Sequence, residues 1–266
     1  MISRAFAPAK INLTLHVTGQ RSDGYHLLDS LVVFADIGDR LTFEPANENM
    51  LGVHGPFAAG VPTDGRNSVM QAAVMAGASH AVTLEKNLPH GAGIGGGSSD
   101  AAAVLRHFNV SDNAKKLGAD VPVCLLAKAQ RMQGIGDVLT PLPDFPPYAA
   151  VLVNPGVHIP TPQVFKALVQ KSNPPMPTNL PVLNSAGDLI AWLALMRNDL
   201  QPPALSISPI INDVLTALSH HSPLVRMSGS GATCFALFKS RAQAGQVART
   251  LAQAHPNWWV QPTTLS

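Results

Sequence analysis

Between Pro89 and Arg106 the chain reads Pro-His-Gly-Ala-Gly-Ile-Gly-Gly-Gly-Ser-Ser-Asp-Ala-Ala-Ala-Val-Leu-Arg, with Gly91, Gly93, Gly95, Gly96 and Gly97 inside seven positions. Glycines tolerate positive φ and let a ligand approach the main chain, whereas Ala101, Ala102 and Ala103 favour helix. A loop feeding a helix is the expectation, with Ser98, Ser99 or Asp100 as the cap. The unpaired N–H groups of such a helix start, reinforced by the macrodipole, attract an anion, and phosphate suits them best.

Spacing narrows the kind of phosphate loop. Gly91, Gly93 and Gly96 satisfy G-x-G-x-x-G after the apolar run 81–84. A dinucleotide fold, however, needs an acidic residue ending a second strand about twenty positions further on. Asp120 precedes its apolar run, 121–127, and Asp112 follows no strand-like run. Gly91 and Gly96 also have the P-loop interval, but Gly97 stands where that loop requires lysine, so a P-loop is excluded. A flexible linker would carry no abutting helix signal.

Other residues with chemical potential are ambiguous when taken singly. Lys10 sits between two strand-like runs, and local pattern alone favours a solvated lysine. Tyr25 and His26 leave the turn 19–24, where an aromatic ring beside an imidazole could hold a flat ligand or cover the edge of a core. Asp120 could cap a short helix carrying Pro122 in its first turn. The Gly229-Ser-Gly231 turn is either a plain hairpin or a second anion-binding nest, the latter being favoured. Cys124 and Cys234 lie far apart in apolar runs, which suggests buried thiols and neither a disulfide nor a zinc site.

The elements that must position these residues follow from patterning. Residues 4–7 and 11–17 read as strand interrupted at Lys10, and 31–34, 39–43 and 50–53 as further strands. Asn67 should cap a helix over 68–76, and strand 81–84 leads into the glycine loop. After a polar connection at 112–116, residues 131–142 read as strand and turns, and 143–147 as a domain boundary. Beyond it come strand 149–153, helices 163–170 and 187–197 around a Pro-rich stretch 173–181, helix 209–219, two apolar runs within 225–238, helix 241–254 and strand 258–261. Strands and helices mixed without a regular βαβ repeat indicate α+β. The expected domains are 1–145 and 146–266.

With 266 residues and 46% hydrophobic content, the chain can bury a sizeable core. Only 13% of residues are charged and the net charge is +2, which argues against nucleic acid or an anionic membrane as partner and for a small-molecule ligand. Residues 1–11 lack a long apolar segment and no run of about eighteen apolar residues occurs, so a cytoplasmic location is expected.

Taken together, these stretches resemble the GHMP kinases. The glycine stretch is similar to the second motif of that superfamily, Pro8-Ala-Lys-Ile-Asn-Leu13 to the first, and 225–236 to the third. Within it the chain most resembles the branch acting on a diphosphocytidyl methylerythritol. That likeness rests on Ala9-Lys-Ile-Asn-Leu-Thr-Leu15, Arg21-Ser-Asp-Gly-Tyr-His-Leu-Leu28, Leu117-Gly-Ala-Asp-Val-Pro122, Gly134-Ile-Gly-Asp137 and Thr161-Pro-Gln-Val-Phe165. It runs nearly end to end.

The resemblance implies a two-domain α+β GHMP kinase fold with the active-site cleft between the domains. It implies ATP-dependent phosphorylation of the substrate's 2-hydroxyl in non-mevalonate isoprenoid synthesis, with Asp120 as general base and Lys10 beside it. Such a pair suits phosphoryl transfer, which needs an acceptor for the hydroxyl proton and a cation for the phosphoryl oxygens. Asn67 and Lys86 would line the adenine pocket, while Pro89, Gly91, Gly93, Gly95, Gly96, Gly97, Ser98 and Ser99 would surround the ATP phosphates. Asn12, Gly229 and Ser230 would meet the substrate, and Tyr25, His26 and Phe165 its cytosine. Magnesium is expected with ATP, with no protein ligand assigned to it. One departure stands out: relatives carry a further helix between the glycine-loop helix and Leu117, where this chain has only 107–116.

Overall fold

The computed structural model describes residues 1–77, 79–181 and 185–266. In order, the first half of the chain forms β1 (Ser3–Asn12), β2 (His16–Gln20), β3 (His26–Pro45), β4 (Met50–His54), α1 (Ser68–Met75), β5 (His80–Glu85), α2 (Gly96–His107), a 3-10 turn (Ala114–Leu117), α3 (Val121–Leu126), β6 (Gln130–Gly134) and β7 (Val138–Pro141). The second half forms β8 (Tyr148–Asn154), α4 (Thr161–Lys166), α5 (Ala186–Ala194), α6 (Gln201–Ile207), α7 (Ile210–Ser219), β9 (Val225–Met227), β10 (Cys234–Phe238), α8 (Arg241–Ala254) and β11 (Trp259–Leu265). Strands and helices are mixed, as α+β requires.

Two compact units emerge. The first comprises Met1–Lys10, Ile37–His90 and Gly95–Ala127, and the second Ile11–Asp36, Gly91–Ile94 and Lys128–Ser266. The expected domains, 1–145 and 146–266, are continuous stretches, whereas these units interleave because β1 and β3 each supply residues to both.

In the first unit β5 lies between β4, to which it is parallel, and β3, to which it is antiparallel. Leu41 faces Leu84 across the β3/β5 ladder and Phe43 faces Val82, so alternate residues fill one buried face. Helix α2 packs against α1 and α3. Its run from Ala101 to Leu105 is wholly buried, which small side chains permit at close helix spacing.

In the second unit β11, β8, β10 and β9 form an antiparallel series, joined to β3 by the pairing of Leu265 with Ala35. Val151 and Val153 of β8, Cys234 and Ala236 of β10, Val214 and Leu218 of α7 and Val247 and Leu251 of α8 belong to its core. Elsewhere in the unit β6 pairs with β3 and β7. There Arg131 grips Asp29 through two bonds of 2.8 and 2.7 Å. Its remaining N–H groups donate to the carbonyls of Met176, Pro177 and Thr178, and Asp29 accepts the Met176 N–H. The Pro-rich stretch 173–181 is thereby tied to the strands.

Several local expectations change. Strand β1 runs straight through Lys10, because the ammonium of that buried residue has a carboxylate partner and need not break the strand to reach water. Runs 31–34 and 39–43 are parts of one strand of twenty residues. It continues past Gly38 because a Cβ there would stand 2.1 Å from the Ala7 carbonyl oxygen, an approach only glycine allows. Helix α4 ends at Lys166 and α5 at Ala194, short of the expected 170 and 197. Helix α6 was hidden by Pro202 and Pro203, which occupy a first turn where no N–H is needed. Asn67 caps α1 as expected, accepting the Val69 N–H at 2.8 Å. Both cysteines are free and buried, and burial raises both thiols, that of Cys124 to about 12.

Candidate active site

The glycine stretch is a loop that opens a helix. Gly91, Gly93 and Gly95 have φ of 53°, 73° and 64°, left-handed values that glycine adopts without strain. Gly96 and Gly97 already belong to α2. The helix is capped by Gly95, with no side-chain cap bond, and the three candidates for that role lie inside the helix. There the Ser99 hydroxyl donates to the Pro8 carbonyl at 2.7 Å, and the Asp100 carboxylate accepts from Lys86. Among the described residues no side-chain oxygen caps the first N–H groups of α2, which an α-helix cannot satisfy internally.

Lys10 and Asp120 meet within the first unit. β1 delivers Lys10, and the turn before α3 delivers Asp120; Nζ donates to Oδ2 at 2.6 Å. Asp120 stands at the N-cap position with φ of −87° and makes no cap bond, so its side chain is committed to Lys10. The lysine side chain is 5% exposed and the aspartate 35%, which leaves the carboxylate as the reachable member of the pair. A Cβ on Gly95 would lie 3.2 Å from Lys10 Cβ, so the helix start rests on the lysine stem. A cation, a carboxylate and a helix start without a side-chain cap are thus held together by strand, turn and loop.

Asn67 and Lys86 are also in the first unit, and both are engaged. The Asn67 amide donates to the Pro62 carbonyl at 2.7 Å while its oxygen caps α1. Lys86 is buried, and its ammonium donates to both Asp39 and Asp100. Pro89 is buried at the entrance of the loop.

In the second unit the loop portion at Gly93 is seated on the turn between β9 and β10. The Ser228 hydroxyl donates to the Gly93 carbonyl at 3.1 Å and accepts the Asn12 N–H at 3.0 Å. Thr233 N–H donates to the Ala92 carbonyl at 3.1 Å. A Cβ on Gly93 would fall 2.5 Å from the Ser228 carbonyl oxygen, so no side chain fits. Gly229 turns with φ of 56°, its carbonyl held by the Asn198 amide at 2.8 Å, and the Ser230 and Thr161 hydroxyls bond at 2.7 Å. The Asn12 amide nitrogen donates to Ser30 at 2.8 Å, while its buried Oδ1 has no partner among the described residues.

The proposed cytosine residues are also in the second unit. The rings of His26 and Phe165 stack at 4.8 Å with 24° between their planes, and buried His26 Nε2 has no partner among the described residues. Burial, with Lys171 adding, lowers the His26 pKa from its ordinary value and so favours the neutral imidazole. Tyr25 is 60% exposed and makes no ring contact among the described residues. Sequence reasoning did not find Ser228, Asn198, Thr161 or Asp39. Ser228 at least belongs to a recognised turn, and its position beside Gly229 was the available signal.

The chain matches the sequence model of the GHMP kinases N terminal domain over residues 67–140 and that of the GHMP kinases C terminal over 180–257. It belongs to the GHMP kinases. It is 59% identical to the 4-diphosphocytidyl-2-C-methyl-D-erythritol kinase of Dinoroseobacter shibae, a match covering 98% of this chain and 94% of that one. The crystal structure of a 4-(cytidine 5'-diphospho)-2C-methyl-D-erythritol kinase superposes with a TM-score of 0.79 at 34% identity, covering 99% of both chains. L. major mevalonate kinase, solved in complex with R-mevalonate, shares the fold with a TM-score of 0.63 at 14% identity, over 99% of this chain and 96% of its own.

Proposed function

We propose that this kinase uses ATP to phosphorylate the 2-hydroxyl of 4-diphosphocytidyl-2-C-methyl-D-erythritol, as a cytoplasmic enzyme of isoprenoid precursor synthesis. The observation that carries the chemistry is the Lys10–Asp120 pair beside the glycine-capped start of α2. Asp120 accepts the proton as the hydroxyl oxygen attacks the γ-phosphorus, and the bond to the ADP oxygen breaks. Lys10 offsets charge on the transferring phosphoryl oxygens.

Three positive-φ glycines and the N–H groups of α2 fit a triphosphate. Magnesium accompanying ATP supplies further charge neutralisation. Among the described residues no group of three or more His, Cys, Asp and Glu side chains is arranged for a metal, and no protein ligand is assigned. Asn67 and Lys86 border the adenine, with their polar atoms serving the scaffold around it.

The acceptor assignment is supported by the relatives named for it and by the placement of Asn12, His26 and Phe165. Asn12 Oδ1 takes a substrate hydroxyl, and Gly229 and Ser230 border the same ligand. His26 reads the base edge through Nε2, Phe165 offers a stacking face, and exposed Tyr25 folds over the base on binding. The test is ADP release with the cytidyl substrate against mevalonate at equal concentration. Turnover only with the cytidyl substrate is expected, and preference for mevalonate would overturn the assignment.

A further inference from the structure

Lys86 carries two carboxylates on one ammonium, all buried: the side chains of Lys86, Asp39 and Asp100 are 5%, 0% and 4% exposed. An ammonium needs only one carboxylate for charge balance, and a surplus buried charge is costly. The arrangement therefore asks for a reason beyond stability, and its place in the chain supplies one.

Lys86 follows β5 and begins the segment entering the glycine loop. Asp39, from β3, spends Oδ1 on that incoming main chain, accepting the N–H groups of Asn87 at 2.6 Å and Leu88 at 2.9 Å. Its Oδ2 accepts from Lys86. On the far side of the loop, Asp100 lies in α2 and accepts from the same ammonium at 2.8 Å. A Cβ on Gly96 would stand 3.5 Å from Lys86 Nζ and 3.8 Å from Asp39 Oδ2, so the cluster lies directly beneath the start of the helix.

We propose that Asp39 and Asp100 are positioning residues for phosphoryl transfer: through Lys86 they clamp the strand entering the glycine loop to the helix leaving it. This rests on the reading that the loop holds the ATP phosphates. The clamp fixes the distance across the neck of the loop, and with it the aim of the helix N–H groups. The second carboxylate is then needed because one holds each side.

The surplus charge gives the clamp a signature that a plain structural staple lacks. Asp100 Oδ1 is buried without a partner among the described residues. Burial, with Asp39 adding, pushes the Asp100 carboxyl up to about 7, against the pull of Lys86. Other titratable groups on the elements around α2 are Arg4 and Lys10 of β1, Arg106 and His107 at its own far end, Lys115 and Lys116 of the 3-10 turn, and Asp120 and Cys124 at α3; α1 has none. The hydrogen-bond partner of Asp100 is Lys86. Above neutrality the cluster is left with one negative charge under the site for the phosphates, and below it with none.

The test is calorimetric titration of the full-length protein with ATP and, separately, with the cytidyl substrate. Asp39→Asn cannot accept on both sides, because its NH₂ must face either Lys86 or the main-chain N–H groups. ATP affinity should fall at least tenfold, with cytidyl affinity within about twofold of wild type. Asp100→Asn keeps shape and removes the titrating charge. Between pH 6 and 8 the wild type should lose at least about threefold more ATP affinity than this variant, the nucleotide's own titration being common to both.

A purely structural cluster would lower the melting temperature and leave both ligand affinities and the pH difference unchanged, which overturns the proposal. Should Asp39→Asn fail to fold, the pH comparison with Asp100→Asn decides alone. Gly95→Val is the control on the underlying reading. If that variant also binds ATP normally, the loop is not the phosphate site and both ideas fall; if it loses ATP while the aspartate variants behave as wild type, only the clamp falls.

Discussion

Replacing Asp120 with asparagine is the sharpest test of the proposed chemistry, because the structure separates its effect on folding from its effect on catalysis. The side chain makes no helix-cap bond, so α3 loses nothing, and what changes is a single ion pair with Lys10. With the aspartate side chain 35% exposed, that pair belongs near the upper end of the range for exposed pairs, about 1 kcal/mol. For a chain of this size the melting temperature should then fall by about 2–4 °C. An asparagine oxygen still accepts from Lys10, which reduces the loss further. Turnover is another matter, since an amide cannot take the hydroxyl proton. Removing a general base costs about 10² to 10⁴ in rate, or roughly 3 to 5 kcal/mol of barrier. The assay is ADP release at saturating ATP and cytidyl substrate, alongside calorimetric ATP binding and a thermal melt. A small shift in melting, near-normal ATP affinity and a turnover loss of at least a hundredfold are expected. Turnover within about threefold of wild type would remove Asp120 from the reaction.

Lys10→Ala should lower turnover more than it weakens ATP, as measured in the same assays; an unchanged turnover number would exclude the lysine. Gly95→Val places a β-branched side chain at φ of 64° and against the Lys10 stem, so ATP affinity should collapse while the cytidyl ligand still binds in separate titrations. Phe165→Ala removes one stacking face and should weaken the cytidyl substrate about 5-fold to 150-fold, corresponding to about 1–3 kcal/mol, with ATP affinity unchanged. Asp100 has a folded pKa above its unfolded value, so it takes up a proton on folding through the window between them. Its contribution to stability is full below about pH 4 and is lost as pH rises through about 7, so Asp100→Asn should flatten that part of a melting-temperature profile.

How much of this was legible beforehand depended on sequence distance. Glycines followed by alanines announced the loop and α2, because backbone freedom and helix propensity are local properties. The cap assignment erred locally too: serine and aspartate are good caps, but three left-handed glycines bring the chain into helix before Ser98 is reached. Lys10 and Asp120 were weighed as solvated and capping residues, since no periodicity reports a partner 110 positions away. The resemblance singled them out, and the fold brings them together. Asp39 was read as the start of a strand, because a charge beside Gly38 gives no hint that Lys86 will reach it. The stacking of His26 on Phe165 needs α4 beside the start of β3, which no local pattern could supply.

The path of β1 and β3 also bears on how this protein could be taken apart. The stretch Ile11–Asp36 completes the second unit, and with it goes the partner of Arg131. A fragment beginning after β7 would lack β6, the Asp29 end of the clamp on residues 173–181, and the strand that receives Leu265. The end of its terminal strand would lose the pairing of Leu265 with Ala35 and so lengthen an already open edge, an invitation to aggregation. Two separately produced halves should be poorly soluble alone and recover activity only when refolded together, so a split reporter or a fusion joint is better placed at the ends of the chain than at its middle.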